Sequence, residues 1–246
     1  LNTNLQHQLY KSLWESLDWL FPPNCGGCGV SGTRWCTDCK QKVHTIHEPI
    51  CISCGLPQED AGLCTQCGEN PPAYKFLRSW TIFADPIQGA LHRLKYRRDV
   101  GLGEALSSQV ARFVAQLNWP IDTLIPIPLG KKRLKERGYN QVAMIAMPLS
   151  IQLGLKYLPG ALSRARETRS QVGLSAVERQ ENVQSAFLAD DRKVRGQTIL
   201  LIDDVATTGA TLSSAAEALY HAGAQDVHGI TIARALPHQS SKKVWS

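Results

Sequence analysis

From residue 76 onward the chain alternates short apolar runs of strand character with longer stretches whose apolar residues recur at helical spacing. FLRSWTIFA (76–84) predicts a strand, and DPIQGALHRLKYRRD opens a helix with Pro86 in its first turn, where a missing amide hydrogen is tolerated. DTLIPIPL (122–129) predicts a buried strand, followed by the basic run GKKRLKERGYNQ and a helix through about residue 154. LPGALSRA, NVQSAFLA (182–189) and TILLIDD (198–204) predict three further strands. TLSSAAEALYHAG predicts a helix ended by Gly223, and DVHGITIARAL a final strand. Strands separated by helices need crossover connections, so the expected fold class is α/β, a doubly wound and mostly parallel sheet.

The pattern upstream differs. Leu5, Leu9, Leu13, Leu17 and Leu20 recur close to helical spacing and predict an amphipathic helix over residues 1–22, docked on the body of the protein. Its polar face carries Glu15 and Asp18 beside Lys11, which suits a protein contact better than an anionic membrane surface. The segment lacks the basic start and unbroken apolar block of a signal peptide. No run of about 18 apolar residues occurs, so no membrane span is expected. A length of 246 residues allows one substantial core plus a smaller module. The small module is expected over residues 23–70 and the α/β domain over 71–240, joined through GENPPAYK.

All eight cysteines fall in the small module, as Cys25/Cys28, Cys36/Cys39, Cys51/Cys54 and Cys64/Cys67. Two intervening residues let a tight turn aim both sulfurs at one tetrahedral ion, and two such knuckles close a site of four thiolates. Four knuckles predict two structural Zn²⁺ ions, whose binding supplies folding free energy to a segment poor in apolar side chains. Consecutive pairing of the knuckles is favoured, with interleaving the alternative. His44 and His47 are expected to be exposed rather than ligands, because sulfur completes both sites. Disulfides fit less well, since the rest of the chain looks cytosolic, and four regular pairs do not suit a redox centre or an iron–sulfur cluster.

A formal charge of +6 favours an anionic partner if the charge is clustered. The candidate chemistry lies in ILLIDDVATTGATL (199–212), where a buried strand runs into Asp203 and Asp204 and then a small-residue loop. The loop amides and the hydroxyls of Thr207, Thr208 and Thr211 are expected to converge at a helix N-terminus, whose partial positive charge favours a phosphate dianion. Gly209 allows close backbone approach. The two carboxylates then serve as acceptors for vicinal hydroxyls, so a ribose 5-phosphate fits. A bare pair of aspartates would suit mere helix capping; the whole pattern does not.

Four apolar residues, Asp-Asp and then xxTTGxT resemble the signature of type I phosphoribosyltransferases, which bind 5-phosphoribosyl 1-pyrophosphate (PRPP). With the four knuckles, PIPL (126–129), RGYNQ (137–141) and RARETRSQVGLSAVERQENVQSAF (164–187), the chain resembles the ComF family of bacterial competence-associated proteins over about residues 20–236. The resemblance implies that Asp203 and Asp204 hold the ribose and that Ala206, Thr207, Thr208, Gly209, Ala210 and Thr211 hold the 5-phosphate. It implies that Arg133, Arg137 and Gly138, after PIPL, face the pyrophosphate. Lys131, Lys132 and Lys135 add to that basic run; the first lysines suit a solvated face. Arg164, Arg166, Thr168 and Gln171 would lie on a catalytic loop that closes over the reacting centre, with Arg179 and Asn182 at its end. Lys95, Tyr96 and Arg97 are further candidates for the cleft. Family members often carry Phe at the position of Tyr139 and a larger residue at that of Ala206.

The implied reaction displaces pyrophosphate from C1 of the ribose, with Mg²⁺ and the basic loop meeting the developing charge. The acceptor is unknown, because the zinc module takes the place of the variable hood that selects it in type I enzymes. Three roles remain: a transferase, a PRPP-binding accessory of DNA uptake touching single-stranded DNA or a competence helicase, and an adaptor without ligand. On the second, Trp35 is the main candidate to stack on bases. A bacterial, cytoplasmic location follows from the resemblance.

Overall fold

The computed structural model describes residues 12, 22–97, 99–164 and 186–236. Apart from Ser12 and Pro22, the helix expected over residues 1–22 lies outside them, as do Arg166, Thr168, Gln171, Arg179 and Asn182.

Among the described residues the main sheet has five strands: β1 (Phe76–Ile82), β2 (Thr123–Pro126), β3 (Lys156–Tyr157), β6 (Thr198–Ala206) and β7 (Asp226–Arg234). Their order is β1-β7-β6-β2-β3, and every pairing is parallel. The central strand β6 is buried from Thr198 to Ile202, the unbroken apolar run expected of a strand covered on both faces. One face of the sheet packs against α3 (Ile87–Tyr96), α4 (Val100–Gln116) and α6 (Gln141–Leu153) through Leu94, Leu106 and Ile145. The other packs against α8 (Ala210–His221) through Leu212, Ala216 and Leu219. This is the doubly wound, mostly parallel α/β class. No helix among the described residues is long and apolar enough to cross a membrane.

Several elements differ from their sequence reading. The basic run forms a helix of its own, α5 (Lys131–Arg137), closed by Gly138 in the left-handed region at φ 79°. The stretch 100–116 forms α4; its apolar residues recur at helical spacing around Gly101 and Gly103, and the two glycines, poor helix formers, conceal it. There they serve contact: a Cβ on Gly103 would stand 2.6 Å from the Met144 carbonyl oxygen in α6. LPGALSRA and NVQSAFLA contribute β4 (Leu162–Arg164) and β5 (Phe187–Ala189), which pair antiparallel with each other outside the main sheet. Their burial alternates, with Phe187 inside and Leu188 exposed, as a ribbon covered on one face requires.

The cysteine module carries α1 (Thr37–Gln41) and α2 (Thr65–Glu69) and folds onto the α/β domain at two places. Cys25 and Cys39 join the apolar cluster of α3 and α4, whereas Cys51, Cys54 and Cys67 join the cluster of β6 and α8. The module also covers the free edge of β1. The Leu77 N–H donates to Ser53 O, the Ile82 N–H donates to His44 O, and Thr45 bridges Thr81.

Candidate functional site

Cys25, Cys28, Cys36 and Cys39 bring their sulfurs within 4.8 Å of one another, and so do Cys51, Cys54, Cys64 and Cys67. Consecutive knuckles therefore share a site, and interleaving is excluded. The Sγ–Sγ separations include 3.6 Å for Cys25–Cys39, 3.6 Å for Cys28–Cys36 and 3.7 Å for Cys54–Cys64. A tetrahedron with Zn–S bonds of about 2.3 Å has edges of about 3.8 Å, so both donor sets fit zinc. In each cluster burial opposes ionisation of the first thiol, but backbone N–H donors prevail and lower Cys25 and Cys51 to about 6. The last, Cys39 or Cys67, is pushed up by burial and by the neighbouring sulfurs. Four thiolates at this spacing need a dication between them. His44 and His47 are exposed and belong to neither cluster. Trp35 is buried at 3 % exposure, which removes it as a stacking surface for bases.

The second site is built at the carboxyl ends of β2 and β6, where adjacent parallel strands deliver neighbouring loops. Strand β6 runs two residues past Asp204 because Val205 and Ala206 continue the ladder with Ala233 and Arg234 of β7. Strand alternation sends Asp203 and Asp204 to opposite faces of the sheet. Asp204 is buried and bonded on its Oδ2 by Lys95 Nζ at 2.8 Å and by Gln141 Nε2 at 2.9 Å. Gln141 Oε1 in turn accepts from Arg137 Nη1 at 2.8 Å, and the Arg137 guanidinium lies 5.2 Å from the centroid of the Tyr96 ring. The Tyr139 hydroxyl donates to the Leu94 carbonyl, one residue before Lys95. RGYNQ therefore fixes the α3 wall of the cleft, and Tyr139 uses the hydroxyl that Phe would lack. Arg97 is exposed.

Asp203 is only partly exposed, and its carboxyl is pushed up to about 7, first by burial and then by the Asp204 charge; Lys95 and Arg164 pull against this. Burial lowers Arg164, and the Arg133 charge lowers it further while Asp203 raises it, which puts Arg133, Arg164 and Asp203 around one region. Among the described residues Arg164 Nε is buried without a hydrogen-bond partner, and the guanidinium lies 5.2 Å from the Phe187 ring centroid. Arg133 stands exposed on α5.

At the end of β6 and in the loop after it, Ala206 and Gly209 are buried while Thr207, Thr208, Ala210 and Thr211 face solvent. Gly209 has φ 82°, a left-handed conformation in which a side chain is strained, and α8 starts at the next residue. The Ala210 N–H donates to Thr208 Oγ1 at 3.3 Å.

A raised carboxyl has a stability consequence. Between the ordinary Asp value of 3.8 and the folded value of about 7, the unfolded chain releases a proton that Asp203 retains. Stability from this group is therefore lost as pH rises through that window. Asp203→Asn removes the penalty. The gap in melting temperature between the Asn protein and the parent, both ligand-free, is expected to widen from about pH 5 to pH 7 and to level off above. Thermal scans across that range check it, and a gap that narrows with pH would contradict the assignment.

Residues 16–68 match the family model of a double zinc ribbon domain, and residues 142–245 match that of a phosphoribosyl transferase domain. DNA utilization protein YhgH of Escherichia coli O6:H1 (strain CFT073) is 33 % identical over 208 residues, covering 82 % of this chain and 90 % of the relative. Competence protein F of Haemophilus influenzae is 27 % identical over 219 residues, covering 85 % and 94 %. Competence protein ComFC of Bacillus subtilis (strain 168) is 30 % identical over 210 residues, covering 81 % and 83 %. The chain belongs to the ComF family.

Within this ComF chain, the described candidates for the ribose, the phosphate and the pyrophosphate all stand around the carboxyl ends of β2 and β6. Three participants had no role in the sequence reading. Gln141 lies inside RGYNQ, and its central place between Arg137 and Asp204 is a matter of three-dimensional contact. Tyr74 sits in GENPPAYK, where prolines signal a linker, yet it is buried at 3 % exposure beneath Gly209. Arg234 ends an apolar strand and is 1 % exposed, with Nη1 donating to Cys54 O at 2.9 Å.

Proposed function

We propose that this ComF chain binds PRPP in the cleft between β2 and β6 and serves phosphoribosyl transfer or its sensing in DNA uptake. The observation that supports it best is the meeting, at the carboxyl ends of β2 and β6, of two carboxylates and a helix-opening loop with Lys95, Arg133, Arg137 and Arg164. In this reading Asp203 and Asp204 accept from the 2- and 3-hydroxyls of the ribose. The amides from Ala206 to Thr211 receive the 5-phosphate at the start of α8, where about four or five hydrogen bonds to a charged group, each contributing about 1.5 to 3 kcal/mol, hold it without a lysine.

Transfer would break the bond from C1 to the pyrophosphate oxygen, and the electron pair would leave with pyrophosphate as the acceptor's lone pair forms the new bond to C1. Arg133 and Arg137 would meet the developing charge, and Arg164 would complete the electropositive wall near Asp203. Magnesium, which prefers oxygen donors, would arrive on the ligand's pyrophosphate and offset its charge. Residues 1–22, 23–70 and 71–240 would then be helix, zinc module and catalytic-type domain of one cytoplasmic protein.

Calorimetry with PRPP and magnesium is expected to show one site per chain, and ribose 5-phosphate and pyrophosphate are each expected to compete. Absence of heat with PRPP at millimolar concentration would contradict the reading. Pyrophosphate release on addition of cell extract would separate transfer from sensing. The names of the relatives, competence and DNA utilization proteins, support a second reading in which the chain also touches single-stranded DNA or a helicase. In that case oligonucleotide binding falls steeply with salt. Burial of Trp35 takes away the stacking residue that this reading had in the zinc module.

A further inference from the structure

We propose that the second cysteine site sets the geometry of the phosphate loop, with Tyr74 as the positioning residue between them. The inference rests on the reading of residues 206–211 as that loop. Residues 71–74 lead from α2, which bears Cys67, straight to the underside of Gly209. The Tyr74 hydroxyl stands 2.7 Å from where a Cβ on Gly209 would be, and Leu77 Cδ2 stands 3.2 Å from it. One residue earlier, the Ala73 N–H donates to Ser213 Oγ at 2.9 Å, in the first turn of α8. Two consecutive residues of the supposed linker thus hold the loop and the helix that opens from it.

Tyr74 is also tied to the sulfurs. Its buried ring packs in the same apolar cluster as Cys51, Cys54 and Cys67. Arg234 fastens the same site to the sheet, with Nη1 on Cys54 O at 2.9 Å and Nη2 on Cys54 Sγ at 3.6 Å. By contrast, the first site leans on the opposite face: Arg93 Nη1 donates to Cys25 O at 2.8 Å, and a Cβ on Gly27 would stand 2.6 Å from Pro86 Cβ. The two sites therefore support different walls.

The junction is not closely filled. A groove of about 620 Å³ opens between α2 and the start of α8, lined by Glu69, Asn70, Pro72, Tyr74, Gly209 and Ser213 among others. With that space beside it, the loop depends on the few contacts that bridge the junction. Loss of zinc from the second site would release Tyr74 and let Gly209 relax, whereas loss from the first would spare the loop.

The test uses the full zinc-loaded chain and Tyr74→Ala, with Tyr74→Phe as the milder change. Zinc content is measured first and is expected to stay at two per chain. Hydrogen exchange is then read at Ser213, whose N–H donates to the Gly209 carbonyl and opens α8. Exchange is expected to rise about tenfold in Tyr74→Ala and less in Tyr74→Phe. The dissociation constant of ribose 5-phosphate is expected to rise about tenfold while that of pyrophosphate stays unchanged, a split that general destabilisation would not give. Cys67→Ser should reproduce the faster exchange and Cys28→Ser should not. Unchanged exchange at Ser213 in Tyr74→Ala, or equal exchange in the two cysteine variants, overturns the proposal. If the parent protein binds neither ribose 5-phosphate nor pyrophosphate, the reading of the loop fails instead, and exchange alone decides the role of Tyr74.

Discussion

Changing both Asp203 and Asp204 to Asn is expected to abolish measurable PRPP binding while leaving two zinc ions per chain and an unchanged circular dichroism spectrum. Each carboxylate is assigned a hydrogen bond from a ribose hydroxyl, and such bonds to a charged acceptor contribute about 1.5 to 3 kcal/mol. Two of them amount to about a hundredfold to ten-thousandfold in affinity. Calorimetry with magnesium and PRPP reads the loss directly. Retention of affinity within a few-fold of the parent protein would falsify the assignment of these residues to the ribose.

The single variants are expected to differ, because the two acids have different surroundings. Asp203 is raised by burial and by its neighbour, so its amide replacement relieves repulsion in the ligand-free protein. Asp204 is bonded by Lys95 and Gln141, and its amide replacement leaves the Lys95 ammonium, 22 % exposed at the side chain, without its ion partner. Asp203→Asn should therefore stabilise the empty protein near pH 8, and Asp204→Asn should destabilise it, although both weaken the ligand.

The contrast between these acids marks how far the chain alone could be read. Asp203, Asp204 and Gly209 were legible as site candidates because adjacent carboxylates and a glycine-bearing threonine loop are rare at the end of an apolar run. The four cysteine knuckles were legible for a similar reason, since a ligand spacing is a local property. The dependence of Asp204 on Lys95 and Gln141 was not, because it joins residues 109 and 63 positions away through the packing of α3 and α6 on β6. Tyr74 was hidden by its own neighbours: Pro71 and Pro72 read as loop, and only the close approach to Gly209 reveals a buried support. Helix α4 was missed because glycines that serve tight packing weaken the helical signal. The antiparallel pair β4–β5 was read as part of the main sheet because two short apolar runs carry no information about which partner they choose.

Stripping zinc with a chelator is expected to lower the melting temperature of the whole chain by about 10 °C or more and to cause self-association. The direct loss is the binding free energy of structural zinc, of the order of 10 kcal/mol per site, which holds a module too poor in apolar contacts to fold alone. Two further losses follow from the way the module sits on the sheet. Arg234, 1 % exposed, would lose its acceptor on Cys54 and leave a buried guanidinium unpaired, a defect that costs about 3 to 5 kcal/mol. At about 2 to 4 °C per kcal/mol for a chain of this size, that defect alone gives the expected shift. Strand β1 would also lose the cover supplied by Ser53, His44 and Thr45. An uncovered parallel edge offers free N–H and carbonyl groups to another chain, so association through β1 is expected. Thermal scans and sedimentation with and without chelator check both parts. A protein shown to have lost both ions yet melting at the same temperature as a monomer would mean that the cysteine module is an appendage, and that neither Arg234 nor the edge of β1 relies on it.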